Sequence, residues 1–200
     1  MGAQEMDLKA AIAKAESLNA SFLAGDRRAE AEHVGALLEE FSKIDMMDFT
    51  SFGEPEPAGP GVSTLTVHST DETMVLIAFL KANAVMAAHD HKDFIGGMRV
   101  LEGSLKVETF AYVQGQRPDK MDIAQLKRED SAQMAAGETA SILSNQSQIH
   151  QIIAGKEGAV FLDVYTMFNS PGSCRFYDTS GSETNTQEIE AKPLIDIAIH

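Results

Sequence analysis

Apolar side chains at Leu8, Ile12, Ala15, Leu18 and Phe22 recur at the three-to-four spacing that lays one buried stripe along a helix. A second stripe, Ala29, His33, Leu37 and Phe41, follows with Asp26 as its N-cap, while Glu39, Glu40 and Lys43 stay on the wet face. Two helices are therefore expected over residues 1–52. The run Gly53-Glu-Pro-Glu-Pro-Ala-Gly-Pro-Gly61 breaks this periodicity and removes backbone donors, so 53–61 reads as a linker.

Beyond it the pattern changes to short runs of β-branched and aromatic residues. These are Val62–His68, Thr73–Leu80, Ala84–His89, Met98–Leu101, Ser104–Val113, Thr139–Leu143, Ile149–Ile153, Ala159–Thr166 and Leu194–Ile199. Turns are expected at Gly96-Gly97, Glu102-Gly103-Ser104, Gln114-Gly115 and Gly155-Lys-Glu-Gly158. Many short strands without intervening helices predict a mainly β domain over 62–200, an antiparallel sandwich or barrel with a jelly roll the favoured version. The polar interval Gln116–Gln133 fits a long loop or a short helix over the barrel mouth.

Composition narrows the function classes. With 44% apolar and 23% charged residues, the 200-residue chain has the makeup of a folded globular protein. A formal charge of -14 argues against nucleic acid and anionic membrane as partners, because phosphates repel it. No apolar run is long enough to span a bilayer, and the first twenty residues lack a signal-peptide pattern. The one cysteine, Cys174, forms neither an internal disulfide nor a cysteine-rich metal site. It suits a reducing cytoplasm and leaves imidazole or carboxylate as metal ligands.

His89-Asp90-His91 supplies such ligands. On a strand, i and i+2 side chains leave the same face about 6–7 Å apart. With six histidines in 200 residues, chance alone yields roughly 0.2 such pairs. His150 sits in another short apolar run about sixty residues on. His33, His68 and His200 read as packed or solvated.

The pattern from Val85 to Tyr177 resembles the cupin superfamily and, within it, the thiol dioxygenase family of cysteamine dioxygenase and plant cysteine oxidase. The resemblance is carried by His89-Asp90-His91, Gly97-Met98-Arg99-Val100-Leu101-Glu102-Gly103, Ile149-His150 and Ala159-Val-Phe-Leu-Asp163-Val164. It implies a double-stranded β-helix barrel holding Fe(2+) on His89, His91 and His150. The implied substrates are O2 and a small thiol or Cys-initiated peptide, with Asp163 and Tyr177 as catalytic residues. The glutamate ligand common in metal-binding cupins is absent from Lys92-Asp93-Phe94-Ile95-Gly96, leaving a three-histidine set unless Asp93 folds inward. Phe176 replaces the first tyrosine of the family's Cys-x-Tyr-Tyr ending, so no thioether links Cys174 to position 176. Arg99 is the arginine to watch for holding a free substrate carboxylate. Two rival readings remain: a cupin that keeps the metal without turnover, and a three-histidine enzyme acting on a substrate other than a thiol.

Overall fold

The computed structural model describes residues 3–25, 29–47, 49–144, 149–168, 172–179 and 188–199. Two helices, α1 (Ala3–Ala24) and α2 (Glu30–Phe41), precede ten strands. The strands are β1 (Glu56–Gly59), β2 (Val62–Ser69), β3 (Thr73–Leu80), β4 (Val85–His89), β5 (Phe94–Tyr112), β6 (Ala124–Ala135), β7 (Thr139–Ile142), β8 (Ile149–Met167), β9 (Gly172–Asp178) and β10 (Glu188–Ile199). They form a closed antiparallel barrel of the jelly-roll kind, as the strand pattern and the cupin resemblance led us to expect.

Both helices bury most of the predicted stripes, with Leu18 half-buried and Ala29 exposed ahead of α2. α1 buries Leu8, Ile12, Ala15 and Phe22, and α2 buries His33, Val34, Leu37, Leu38 and Phe41. Asp26 lies outside the described residues. α2 starts behind Ala29, which supplies no capping side chain, and carries Glu30 and Glu32 in its first turn, where acids complement the helix dipole. Among the described residues, no helix is long and apolar enough to cross a membrane.

The helices cover one face of β3 and β8. Leu8, Ile12, Leu37 and Phe41 pack with Val75, Ile77, Leu162 and Val164, whereas Ala78, Leu80 and Phe161 face Met98, Val100, Leu105, Val107 and Ile152 inside the barrel. Burial on both faces explains why Thr73–Leu80 and Ala159–Met167 read as near-continuous apolar runs.

Five expectations about the strands need correction. Gly96-Gly97 is not a turn: both residues lie inside β5. A Cβ on Gly97 would stand 2.7 Å from Leu38 of α2, and one on Gly96 would collide with Val164 and Tyr165. Close packing, not chain reversal, selects these glycines. Met98–Leu101 and Ser104–Val113 are one 19-residue strand, as are Ile149–Ile153 and Ala159–Thr166. Their turn-like glycines, Gly103 (φ 74) and Gly158 (φ 86), form positive-φ bulges that bend each strand from one sheet into the other. Within 53–61, Glu56–Gly59 pairs with β2. Residues 124–133, left between loop and helix, belong to β6, which pairs with β5 from Ser104 to Tyr112.

The bends in β5 and β8 let each strand pair twice with the other: Phe94–Gly103 against Ala159–Met167, and Leu105–Phe110 against Ile149–Ala154. The ring continues from β8 through β4, β9, β10 and β6 back to β5. His89 at the end of β4 is thereby set opposite His150 at the start of β8.

Candidate metal centre

His89, His91 and His150 converge although sixty residues separate the pair from the third. Each is buried, and one ligand atom from each lies within 4.8 Å of the others. The ring centroids are 5.0 Å apart for His89 and His91, 4.5 Å for His89 and His150, and 4.6 Å for His91 and His150. Strand pairing supplies the third member, because the register that aligns β4 with β8 places His89 directly across from His150.

Hydrogen bonding orients the donors. His89 Nδ1 lies 2.9 Å from the Ala87 carbonyl oxygen. A carbonyl only accepts, so Nδ1 carries the proton and Nε2 keeps its lone pair. That Nε2 stands 3.1 Å from His150 Nε2, a spacing that needs a proton or a cation to bridge the two nitrogens. Burial pushes His89 down to about 4, with the Ala87 contact opposing, and pushes His150 well below its usual range, assisted by His89 and His91. At neutral pH His89 and His150 are neutral, the form that binds a metal.

This donor set fits a first-row transition metal. Among the described residues, no carboxylate joins the cluster. Asp93 instead adopts φ 68, and its carbonyl accepts the Phe168 N–H. Cys174 is buried, and burial followed by the nearby Asp90 charge raises its thiol pKa, so it stays protonated.

Aromatic rings wall the centre. Phe176 stacks on His89 at 4.8 Å, Phe94 meets His91 edge-on at 5.2 Å, and Tyr165 lies 6.1 Å from His91. Beside His89 opens a cavity of about 160 Å³ lined by Met74, Leu76, Met86, Asp163, Tyr165 and Cys174, among others. A larger cleft of about 570 Å³ at the Gly61, Leu80 and Gly158 end has no histidine or cysteine among the described residues that line it.

Asp163 sits on the wall of the small cavity. Its Oδ1 is buried without a hydrogen-bond partner among the described residues, and burial pushes the carboxyl up to about 7 against a lowering hydrogen bond from Tyr165. Tyr165 is two residues along the same strand and hence on the same face, a relation visible in the i, i+2 spacing once Asp163 is in view. The role of Phe176 beside His89 has no local sequence signal, because it depends on the pairing of β9 with β4.

Tyr177 occupies different surroundings. Strand alternation sends Cys174 and Phe176 to the cavity beside His89 but Arg175 and Tyr177 to the other face of β9. There the Tyr177 hydroxyl lies 2.7 Å from that of Tyr112. Arg99 also points away from the cavity and is 3.6 Å from Asp45, near the end of α2. His33 bonds Thr166, His68 pairs with Glu16, and His200 lies outside the described residues.

The family model PCO_ADO matches residues 34–195. No curated protein matches the chain. Among solved structures, KdgF from a Halomonas species aligns at 13% identity over 60% of this chain and 92% of its own, with a TM-score of 0.45. An RmlC-like cupin from Shewanella frigidimarina aligns at 16% identity over 62% and 91%, with a TM-score of 0.44. A cupin-superfamily sugar phosphate isomerase from Silicibacter pomeroyi aligns at 20% identity over 66% and 82%, with a TM-score of 0.46.

Proposed function

We propose that this chain, which belongs to the plant cysteine oxidase/cysteamine dioxygenase family, uses ferrous iron to convert a small aminothiol or an N-terminal cysteine, with O2, to the sulfinic acid. The reaction balances as one thiol plus one O2 giving one sulfinic acid, with both oxygen atoms ending on sulfur. The observation that carries the reading is a buried set of three imidazoles with no carboxylate partner among the described residues, opening beside an apolar cavity.

His89, His91 and His150 would hold the iron. Three neutral donors leave the ion's charge uncompensated, which favours a thiolate as an added ligand. When bound, the iron supplies the oxygen activation.

The protein binds and orients the thiol. Met74, Leu76, Met86 and Phe94 exclude water around the reacting sulfur. The unpaired Asp163 Oδ1 is the acceptor for the substrate's ammonium group. Among the described residues, neither lysine nor arginine lines the cavity, so a free carboxylate would lack a counter-charge there. Cysteamine or a chain-initial cysteine therefore fits better than free cysteine. The thiol substrate and the single buried thiol Cys174 both suit a reducing cytoplasm, which is the setting proposed for the enzyme.

The test is to load the protein anaerobically with Fe(II) and add O2 with cysteamine, a Cys-initiated peptide or free cysteine. Oxygen consumption and product mass are then followed. Uptake with either of the first two, matched by a gain of two oxygen atoms on the thiol, is expected. Iron binding without thiol-dependent uptake would sink the reading and leave a metal-binding cupin.

A further inference from the structure

We infer that the Asp90 carboxylate, fastened by Tyr112 and Arg117, is the positioning group that sets His89 and His91 for metal binding; this rests on the assignment of the three histidines as ligands. Asp90 lies between the two in the chain, just beyond the end of β4, and is 2% exposed. Its backbone N–H donates to the Arg175 carbonyl at 3.1 Å, and Lys92 and Ser173 exchange backbone bonds at 2.9 and 3.0 Å. These contacts tie one side of the ligand segment to β9.

The side chain ties down the rest. Asp90 Oδ1 accepts the Arg175 backbone N–H at 2.8 Å and Arg117 Nη1 at 3.2 Å, while Oδ2 accepts the Tyr112 hydroxyl at 2.5 Å. Tyr112 ends β5, and its oxygen also meets Tyr177. Tyr177 thus reaches the ligand segment through Tyr112 and Asp90.

Arg117 is itself held in place. It donates to Ser173 Oγ at 3.1 Å and to Asp196 Oδ1 at 2.7 Å. Arg175 binds Asp196 through two nitrogens, at 2.7 and 2.9 Å. The same guanidinium reaches the Pro118 and Lys120 carbonyls at 2.7 and 2.8 Å, which secures the loop carrying Arg117.

The carboxylate therefore joins the segment between the ligands to β5, β9 and the loop before β6. Charge-assisted bonds from buried or half-buried donors are strong and directional. Removing them frees the backbone that aims both imidazoles, and small errors in ligand placement weaken a metal site. A network serving the fold alone would change thermal stability while leaving metal affinity and electronic structure unaltered.

The test compares the full chain with Tyr112→Phe, Arg117→Met and Arg117→Lys. Anaerobic competition with a chromophoric chelator gives Fe(II) affinity, EPR of the nitric oxide adduct gives a spectroscopic signature, and the metal-free Tm reports the fold. Tyr112→Phe and Arg117→Met should each weaken Fe(II) binding about 10-fold or more and alter the EPR signal, with Arg117→Lys recovering most of the affinity. If Arg117→Met does not fold, Tyr112→Phe decides, since it removes a single oxygen. Affinity within about twofold of the original chain, with an unchanged spectrum, overturns the positioning role and leaves the metal site standing. An unsubstituted chain that takes up no Fe(II) removes both.

Discussion

Replacing Asn19 with alanine should undock the first helix from the barrel, and its cost follows from the amide's contacts. Asn19 is fully buried on α1. Its Nδ2 donates to Thr73 Oγ1 at 2.8 Å and to the Glu72 and Tyr165 carbonyls, each at 3.2 Å, while Oδ1 accepts the Thr166 hydroxyl at 2.7 Å. His33 of α2 meets the same Thr166 hydroxyl at 2.8 Å, so one amide helps join both helices to β3 and β8. Two amide hydrogens serve three acceptors, so the loss amounts to about three full bonds, or roughly 3 kcal/mol at about 1 kcal/mol each. For a chain of this size that corresponds to a Tm lower by about 10 °C. Asn19→Leu should fare no better, because an apolar side chain of similar size leaves the same polar groups unpaired. Urea unfolding of metal-free protein, followed by circular dichroism, measures the loss. A change below about 0.5 kcal/mol, the range of an ordinary surface substitution, would refute the claim that this amide anchors the helix.

His150→Ala should reduce bound iron, measured by elemental analysis, from about one ion per chain to near zero, because two imidazoles alone hold it poorly. Full occupancy would remove His150 from the site. Gly97→Ala should cost about 1–3 kcal/mol in chemical denaturation by overpacking against Leu38. Combining it with Leu38→Ala should give less than the sum of the two single losses, whereas exact additivity would mean the contact is not the cause. Burial raises Asp163 from 3.8 to about 7, so the folded state holds its proton more tightly than the unfolded state. Its contribution is most favourable below pH 4 and is lost as pH rises towards 7. Metal-free Asp163→Asn should therefore gain up to about 4 kcal/mol over the original chain at pH 8. The advantage should vanish near pH 3, and a pH-independent difference would contradict the buried-carboxyl assignment.

Much of the architecture was readable in local pattern, because helical and strand periodicities are properties of neighbouring residues. The stripes of α1 and α2, the full extent of β3 and the His89, His91 pair all belong to this class. Glycine was ambiguous. Gly96, Gly97, Gly103 and Gly158 look alike as turn formers, but two accommodate close neighbours and two bend continuous strands. β6 was hidden because its middle faces solvent and shows only partial alternation.

By itself, the sequence determined which imidazoles were available, that no cysteine-rich site could form, and, through its family motifs, which histidine to add as the third ligand. Only the tertiary structure decided that His150 meets His89, since that contact depends on the register between β4 and β8. It also separated Asp163, on the cavity wall, from Tyr177, on the opposite face of β9. Sequence spacing sets which way a side chain leaves its strand, but long-range pairing decides what that face meets.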